Sequence, residues 1–342
     1  MTRPDYIARG GDLVMAQPLE LHGATMYSFL VAADLAALTR MIDQQLNAVT
    51  ASTGTIYRPL VPMAAIVCAG IDQAFSTTPP DSLKGWMGER DFGVWIPVIA
   101  GTMVEGSWKP GRIAWYLPYV FVDNVAAMVT GREIFGFSKQ IAVLAMPPSP
   151  GSPGMFSIDA LVIPTFSPSS QAEDLRLVTL TSCESAGAPA GRWRDDAEAA
   201  EAVWGRIKQG FFDPAHGLAT PTAPPAGPGF TPVGPIAGWD TIKNLIDDLA
   251  TRDVPMVFLK QFRDATDPTK ACYQAVIEAP AHLDRFYGGW FTHPHDVVIR
   301  PCASHPIVAE CGLGGQVMRA DLGFWCRMDF TMRPGKVIAE AT

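Results

Sequence analysis

A lysine set among aromatic and β-branched residues is the position in this chain best suited to covalent chemistry. Lys139 lies in IFGFSKQIAVL, two residues after Phe137 and two before Ile141. Lysine is rarely fully buried, because desolvation disfavours its charged form. An amine held neutral in apolar surroundings is a nucleophile toward ketones. The resulting iminium can drain electrons from a neighbouring bond. The same residues also allow a lysine that lays its stem on apolar surface and keeps its head in water.

Other chemistry-bearing residues are weaker. His293-Pro294-His295-Asp296 has ligand types, but no second cluster at zinc-like spacing accompanies it, so no metal is expected. Cys302, His305 and Cys311 resemble a thiol with a base, yet buried cysteine is commonly a small hydrophobe. Gly312-Leu313-Gly314-Gly315 lacks the spacing of a phosphate-binding loop. No cofactor is expected.

The elements around Lys139 must position it. Tyr119–Val122 is β-branched and aromatic and predicts a strand. Asp123 and Asn124 are residue types that cap helices. Val125, Met128 and Val129 recur at helical spacing. Gly136 suits the position just past a helix end, and Ile141–Leu144 leaves as a buried strand. Gly131 costs something in so short a helix and is tolerable if another backbone packs close at that point.

The stretch DNVAAMVTGREIFGFSKQIA resembles the signature of the acetoacetate decarboxylase family. Asp123-Asn124, Gly131-Arg132-Glu133 and Phe137-Ser138-Lys139 carry the likeness. The resemblance implies a cone-like antiparallel β-barrel with flanking helices, an α+β fold that is mainly β. It also implies that Lys139 is the Schiff-base lysine. Several positions depart from the family pattern. Ser138 replaces a proline, and Gln140 replaces a second lysine whose charge helps hold the first neutral. Desolvation alone must then depress the Lys139 pKa, with Gln140 directing the amine by hydrogen bonding. The family's carboxylate-binding arginine falls at Ala32, one glutamate falls near Ala64–Ile66, and the catalytic glutamate falls on Gly93. Glu89, Asp91 and Glu105 lie nearby but off the pattern, and Glu89 is expected to reach the site by folding back from a loop at 76–90. Arg58 is a pocket cation or a rim residue. Trp95, Phe121 and Phe137 are candidate cavity walls, each equally a core residue.

Composition bounds the rest. The chain has 342 residues, 48% of them hydrophobic, enough for a large core. A net charge of −8 argues against a nucleic-acid surface. Six scattered cysteines without a CxxC pair read as reduced thiols of a cytoplasmic protein. No run approaches the ~20 apolar residues of a membrane span. Thirty prolines and 31 glycines favour a turn-rich β fold. The chain reads as one domain with a helical and Pro-rich insertion at about 190–252. Within it, Asp195–Phe212 and Trp239–Ala250 read as helices, expected to cover the barrel mouth or make a subunit contact. The family forms symmetric assemblies, so a homo-oligomer is expected.

Two functions remain open from the sequence. One is a Schiff-base lyase acting through Lys139 on a β-keto acid, α-keto acid or ketone, by decarboxylation or aldol and dehydration chemistry. The other is a non-catalytic barrel that binds an apolar or carbonyl-bearing small molecule.

Overall fold

The computed structural model describes residues 4–184, 191–211 and 252–341. Its strands are β1 (Leu19–Ala32), β2 (Thr55–Pro59), β3 (Met63–Ser76), β4 (Met87–Val104), β5 (Ser107–Val122), β6 (Lys139–Ala145) and β7 (Met155–Val162). They continue with β8 (Glu173–Ser182), β9 (Asp253–Arg263), β10 (Ala271–Phe291), β11 (His295–Ile299), β12 (Val317–Ala320), β13 (Leu322–Met332) and β14 (Lys336–Glu340).

Seven of these close on themselves in the order β5-β9-β10-β13-β1-β3-β4, and the β4–β5 hairpin completes the ring. The expected mainly-β barrel with a few helices is therefore what the chain forms. All its pairings are antiparallel except β5–β9, which is parallel through Trp115↔Met256 and Tyr116↔Val257. A second sheet, β6-β7-β8-β11-β12, branches from β5 through the parallel β5–β6 pair. β6 thus joins the two sheets, and Lys139 is its first residue.

Alternation along the strands divides the core. On β3, Met63, Ala65 and Val67 face the barrel interior, while Ala64, Ile66 and Cys68 face outward. The outward set packs under the helix Leu35–Ile42 and the second sheet. Inside, Trp193 and residues Ala199, Val203 and Ile207 of the helix Asp196–Phe211 join Leu30, Met63, Ile99 and Ile113 in one cluster. The expected helix at 195–212 is present. The Trp239–Ala250 helix and the Pro-rich stretch lie outside the described residues. All six cysteines are free thiols. No helix among the described residues is long and apolar enough to cross a membrane.

The Lys139 stretch folds as its sequence suggests. Asn124 caps the helix Val125–Thr130, its side chain accepting from the Ala127 N–H at 2.7 Å. A π-turn over Gly131–Phe135 ends at Gly136, whose φ is 93°. A Cβ at Gly136 would lie 2.6 Å from the Lys260 Cα, so both conformation and space demand glycine. The polar loop expected at 76–90 is shorter than that, because β4 begins at Met87. The turn expected at 104–112 shrinks to Glu105-Gly106 between β4 and β5.

Gly136→Ala is expected to destabilise the fold by about 2 kcal/mol or more, since backbone strain adds to a steric clash. Denaturant unfolding of the two proteins checks this.

Candidate active site

Every second residue of β4, namely Met87, Glu89, Asp91, Gly93 and Trp95, lines a cavity of about 230 Å³ inside the barrel. Lys139 enters the same cavity from β6. Register explains the meeting. Gly93 pairs with Val120, and Val120 pairs with Lys139, so the three form one row across β4, β5 and β6. Gly93 brings no side chain, and Asp91, one inward position along, takes the space beside the amine.

Lys139 is 7% exposed, and its Nζ lies 3.7 Å from Asp91 Oδ2. At that separation the contact is an ion pair and not a direct hydrogen bond. Glu89 is also 7% exposed. Burial pulls the Lys139 pKa down, but the charges of Asp91 and Glu89 outweigh it, so the net shift is upward. Burial pushes Asp91 up against the opposing pull of Lys139. Burial, then the charge of Asp91, raises Glu89 to about 7, again against the pull of Lys139. The lysine is thereby biased toward keeping its proton, and both carboxyls hold theirs more firmly than free ones would. This corrects the expectation of an amine kept neutral by burial alone. A buried cation without a countercharge would lose its proton, but here two acids were brought to it.

Packing fixes the lysine stem. Gly131 leaves room for it, because a Cβ there would lie 2.6 Å from Lys139 Cδ. What packs against Gly131 is thus a side chain, where a backbone was expected. The Phe137 ring lies 5.2 Å from Nζ and packs on Phe258 at 3.9 Å between centroids. Arg132 Nη1 donates to the Lys139 carbonyl at 3.2 Å, tying the signature turn to β6. Ser138, where the signature has proline, donates its hydroxyl to the Pro118 carbonyl at 2.7 Å and so pins the turn to β5.

Of the residues expected at the site, Lys139, Glu89, Phe137 and Trp95 line one cavity. Glu89 arrives there on a strand, not on a loop. Three others lie elsewhere. Gln140 follows Lys139 on β6, so its side chain leaves from the opposite face, and its Oε1 pairs with His305 Nε2 at 2.8 Å. Phe121 faces the same outer side, with its ring 6.0 Å from Phe92 and 5.6 Å from His305. Arg58 lies on β2, its guanidinium 5.5 Å from the Trp108 ring. Gln140 cannot direct the amine from there, and Arg58 supplies no cation to the cavity.

Asp91 is the residue that sequence matching passed over. Its signal is the period-two run Glu89-Asp91-Gly93-Trp95, which carries the strand back into the polar stretch that reads as a loop up to residue 90. Asp91 Oδ1 is buried and accepts no hydrogen bond from the described residues. It is a free acceptor beside the amine. Among the described residues lining the cavity, Lys139 is the sole cation. No group of His, Cys, Asp and Glu among the described residues has a metal-binding arrangement.

No family model matches the sequence, and no curated protein matches it either. Solved structures do match in fold. Acetoacetate decarboxylase from Legionella pneumophila superposes with a TM-score of 0.56 at 14% identity, over 99% of this chain and 93% of that one. An acetoacetate decarboxylase-like enzyme from Sphingomonas wittichii RW1 gives 0.54 at 12% identity, over 99% and 100% of the two chains. The enduracididine biosynthesis enzyme MppR, complexed with pyruvate, gives 0.54 at 14% identity over 96% and 93%. The barrel described above is therefore the acetoacetate decarboxylase fold.

Glu89 has a consequence for stability. Its folded pKa of about 7 lies above its ordinary 4.5. The folded state then holds a proton that the unfolded state releases, so this group's contribution is full below pH ~4.5 and is lost as pH rises through 7. Glu89→Gln is expected to gain stability relative to the parent on going from pH 5 to pH 8. Denaturant midpoints at the two pH values measure it.

Proposed function

We propose that this protein is a divergent acetoacetate decarboxylase-like enzyme in which Lys139 forms a Schiff base with a ketone or keto acid. The observation that carries the reading is the meeting of a buried lysine with a buried and a half-buried carboxyl in a mostly apolar cavity. Such a cavity with a few convergent polar groups and perturbed pKa values is the default form of a small-molecule site. The fold shared with enzymes of this kind, one of them bound to pyruvate, is consistent with it.

The chemistry follows from the proton inventory. Lys139 first passes a proton to the Asp91 carboxylate, which burial has made a better base than a free aspartate. The neutral nitrogen then bonds to the carbonyl carbon. The oxygen leaves as water with the two remaining amine protons, and a proton from the Glu89 carboxyl converts the imine to an iminium. The iminium next takes the electron pair of an adjacent C–H bond as that bond breaks, and the proton passes to the Glu89 carboxylate left by the preceding step. Asp91 Oδ1, with no hydrogen-bond partner among the described residues, can accept a hydrogen bond from the hydroxyl formed during these steps. With no cation beyond Lys139 among the described lining residues, the cavity offers poor seating for a leaving carboxylate. Aldol and dehydration chemistry is therefore preferred over decarboxylation.

The Lys139–Asp91 ion pair favours a second reading, in which the amine stays charged and the barrel only binds a carbonyl compound. Borohydride trapping separates the two. Incubation with a panel of ketones and keto acids followed by reduction is expected to leave one mass adduct on the Lys139 peptide, absent in Lys139→Ala. No adduct across the panel supports the binder. Asp91→Asn is expected to shift the pH dependence of trapping downward by roughly one unit or more, because burial then acts on the amine with one opposing charge fewer.

A further inference from the structure

Little of this cavity is suited to a short keto acid. Among the described lining residues the charged groups enter from β4 and β6, and apart from Thr130 and the Trp95 indole the rest of the wall is hydrocarbon and thioether, with Leu19 and Leu21 from β1, Ala74 from β3, Met256 from β9, and Phe330 and Met332 from β13. A substrate carboxylate placed here has to find a cation. The sole one among the described lining residues faces Asp91 at 3.7 Å, with buried Glu89 close by. A third acid would meet two others in a low-dielectric space, where like charges repel strongly. Size points the same way. The free volume is about 230 Å³, against the ~150 Å³ of an apolar cavity that takes up benzene. A phenyl ring with a short chain fits such a space, and acetone or pyruvate leaves most of it empty. Methionines in the wall add a surface that can adjust to the shape of an apolar guest.

We propose that the substrate is a neutral, largely apolar ketone or aldehyde of aryl-alkyl or medium-chain alkyl size, with its carbonyl at Lys139 and its hydrocarbon tail along β1 and β13. This rests on the reading of Lys139 as the Schiff-base amine. Condensation proceeds with the atom balance given above and needs no oxidant or reductant. With no carboxylate to lose, the bond broken next is an α C–H bond, its electron pair passing to the iminium and its proton to the Glu89 carboxylate left by the preceding step. Each methylene buried adds roughly three- to fourfold in affinity, so tail length governs recognition.

The test uses 4-phenylbutan-2-one, 2-nonanone, acetone and pyruvate as probes in borohydride trapping of the full chain. The two long ketones are expected to half-saturate Lys139 at concentrations at least tenfold below those of acetone and pyruvate. Ala74→Phe, which narrows the tail space, is expected to erase that preference while acetone trapping persists. Binding of the same probes to Lys139→Met, followed by the fluorescence of the cavity-lining Trp95, reads the apolar preference without the covalent step. Pyruvate trapped at concentrations equal to or below those of the long ketones overturns the substrate class and leaves the Schiff-base reading intact. Absence of any adduct, with the long ketones still binding Lys139→Met at least tenfold tighter than acetone, overturns the covalent reading and upholds the apolar ligand class. Absence of both adduct and selective binding overturns the proposal altogether.

Discussion

A cation can be held inside an apolar barrel only if an opposite charge is carried in with it, and in this protein that countercharge comes from β4. Asp91 stands 3.7 Å from the Lys139 amine, and Glu89 lies one inward position further along the same strand. The β4–β5–β6 register, the glycines at 93 and 131 and the Phe137 ring all serve to bring these groups together without filling the space between them. Removing the lysine would leave two acids desolvated together, and removing the acids would leave the amine to shed its proton.

The three groups are coupled through their charges: burial raises both carboxyls, and they in turn raise the lysine. Under the proposed chemistry, imine formation moves a proton twice, once to free the nitrogen and once to protonate the imine. A site that kept its lysine neutral by a second cation would need those protons from elsewhere. The position where the family signature carries that second lysine is Gln140, and here it belongs to a different part of the molecule. Its carbonyl accepts from His305 Nε2. The other ring nitrogen meets Ser304 Oγ at 2.8 Å, and Ser304 Oγ accepts from the Ile163 N–H at 2.9 Å. This chain of hydrogen bonds binds β6 to the loop after β11 on the outer face of the barrel. Burial lowers the His305 pKa, in keeping with a neutral ring in that network.

The barrel also separates its two ends physically. One end is filled by Trp193 and the inner residues of the helix Asp196–Phe211. The other keeps the open volume around Lys139. Trp95 and Trp115, with ring centroids 5.9 Å apart, pack against both clusters.

Local sequence was enough to mark Lys139 as a candidate, the cap at Asn124 and the αL glycine at 136, each of which depends on neighbours within a few residues. The mainly-β barrel was implied by the likeness of the signature stretch to a known family. A period-two run also placed Glu89 and Asp91 on one face with Trp95, a signal masked because the strand begins inside a polar stretch. What tertiary structure alone decided was which face of β6 looked inward, and therefore that Gln140 would leave the site and Arg58 would never enter it. It also decided the charge of the amine. A lysine among aromatics reads as neutral when its surroundings are taken from its own segment, because desolvation is a local property. The electrostatic field at its nitrogen depends on residues some fifty positions earlier, brought near by strand pairing, and no local pattern encodes their distance.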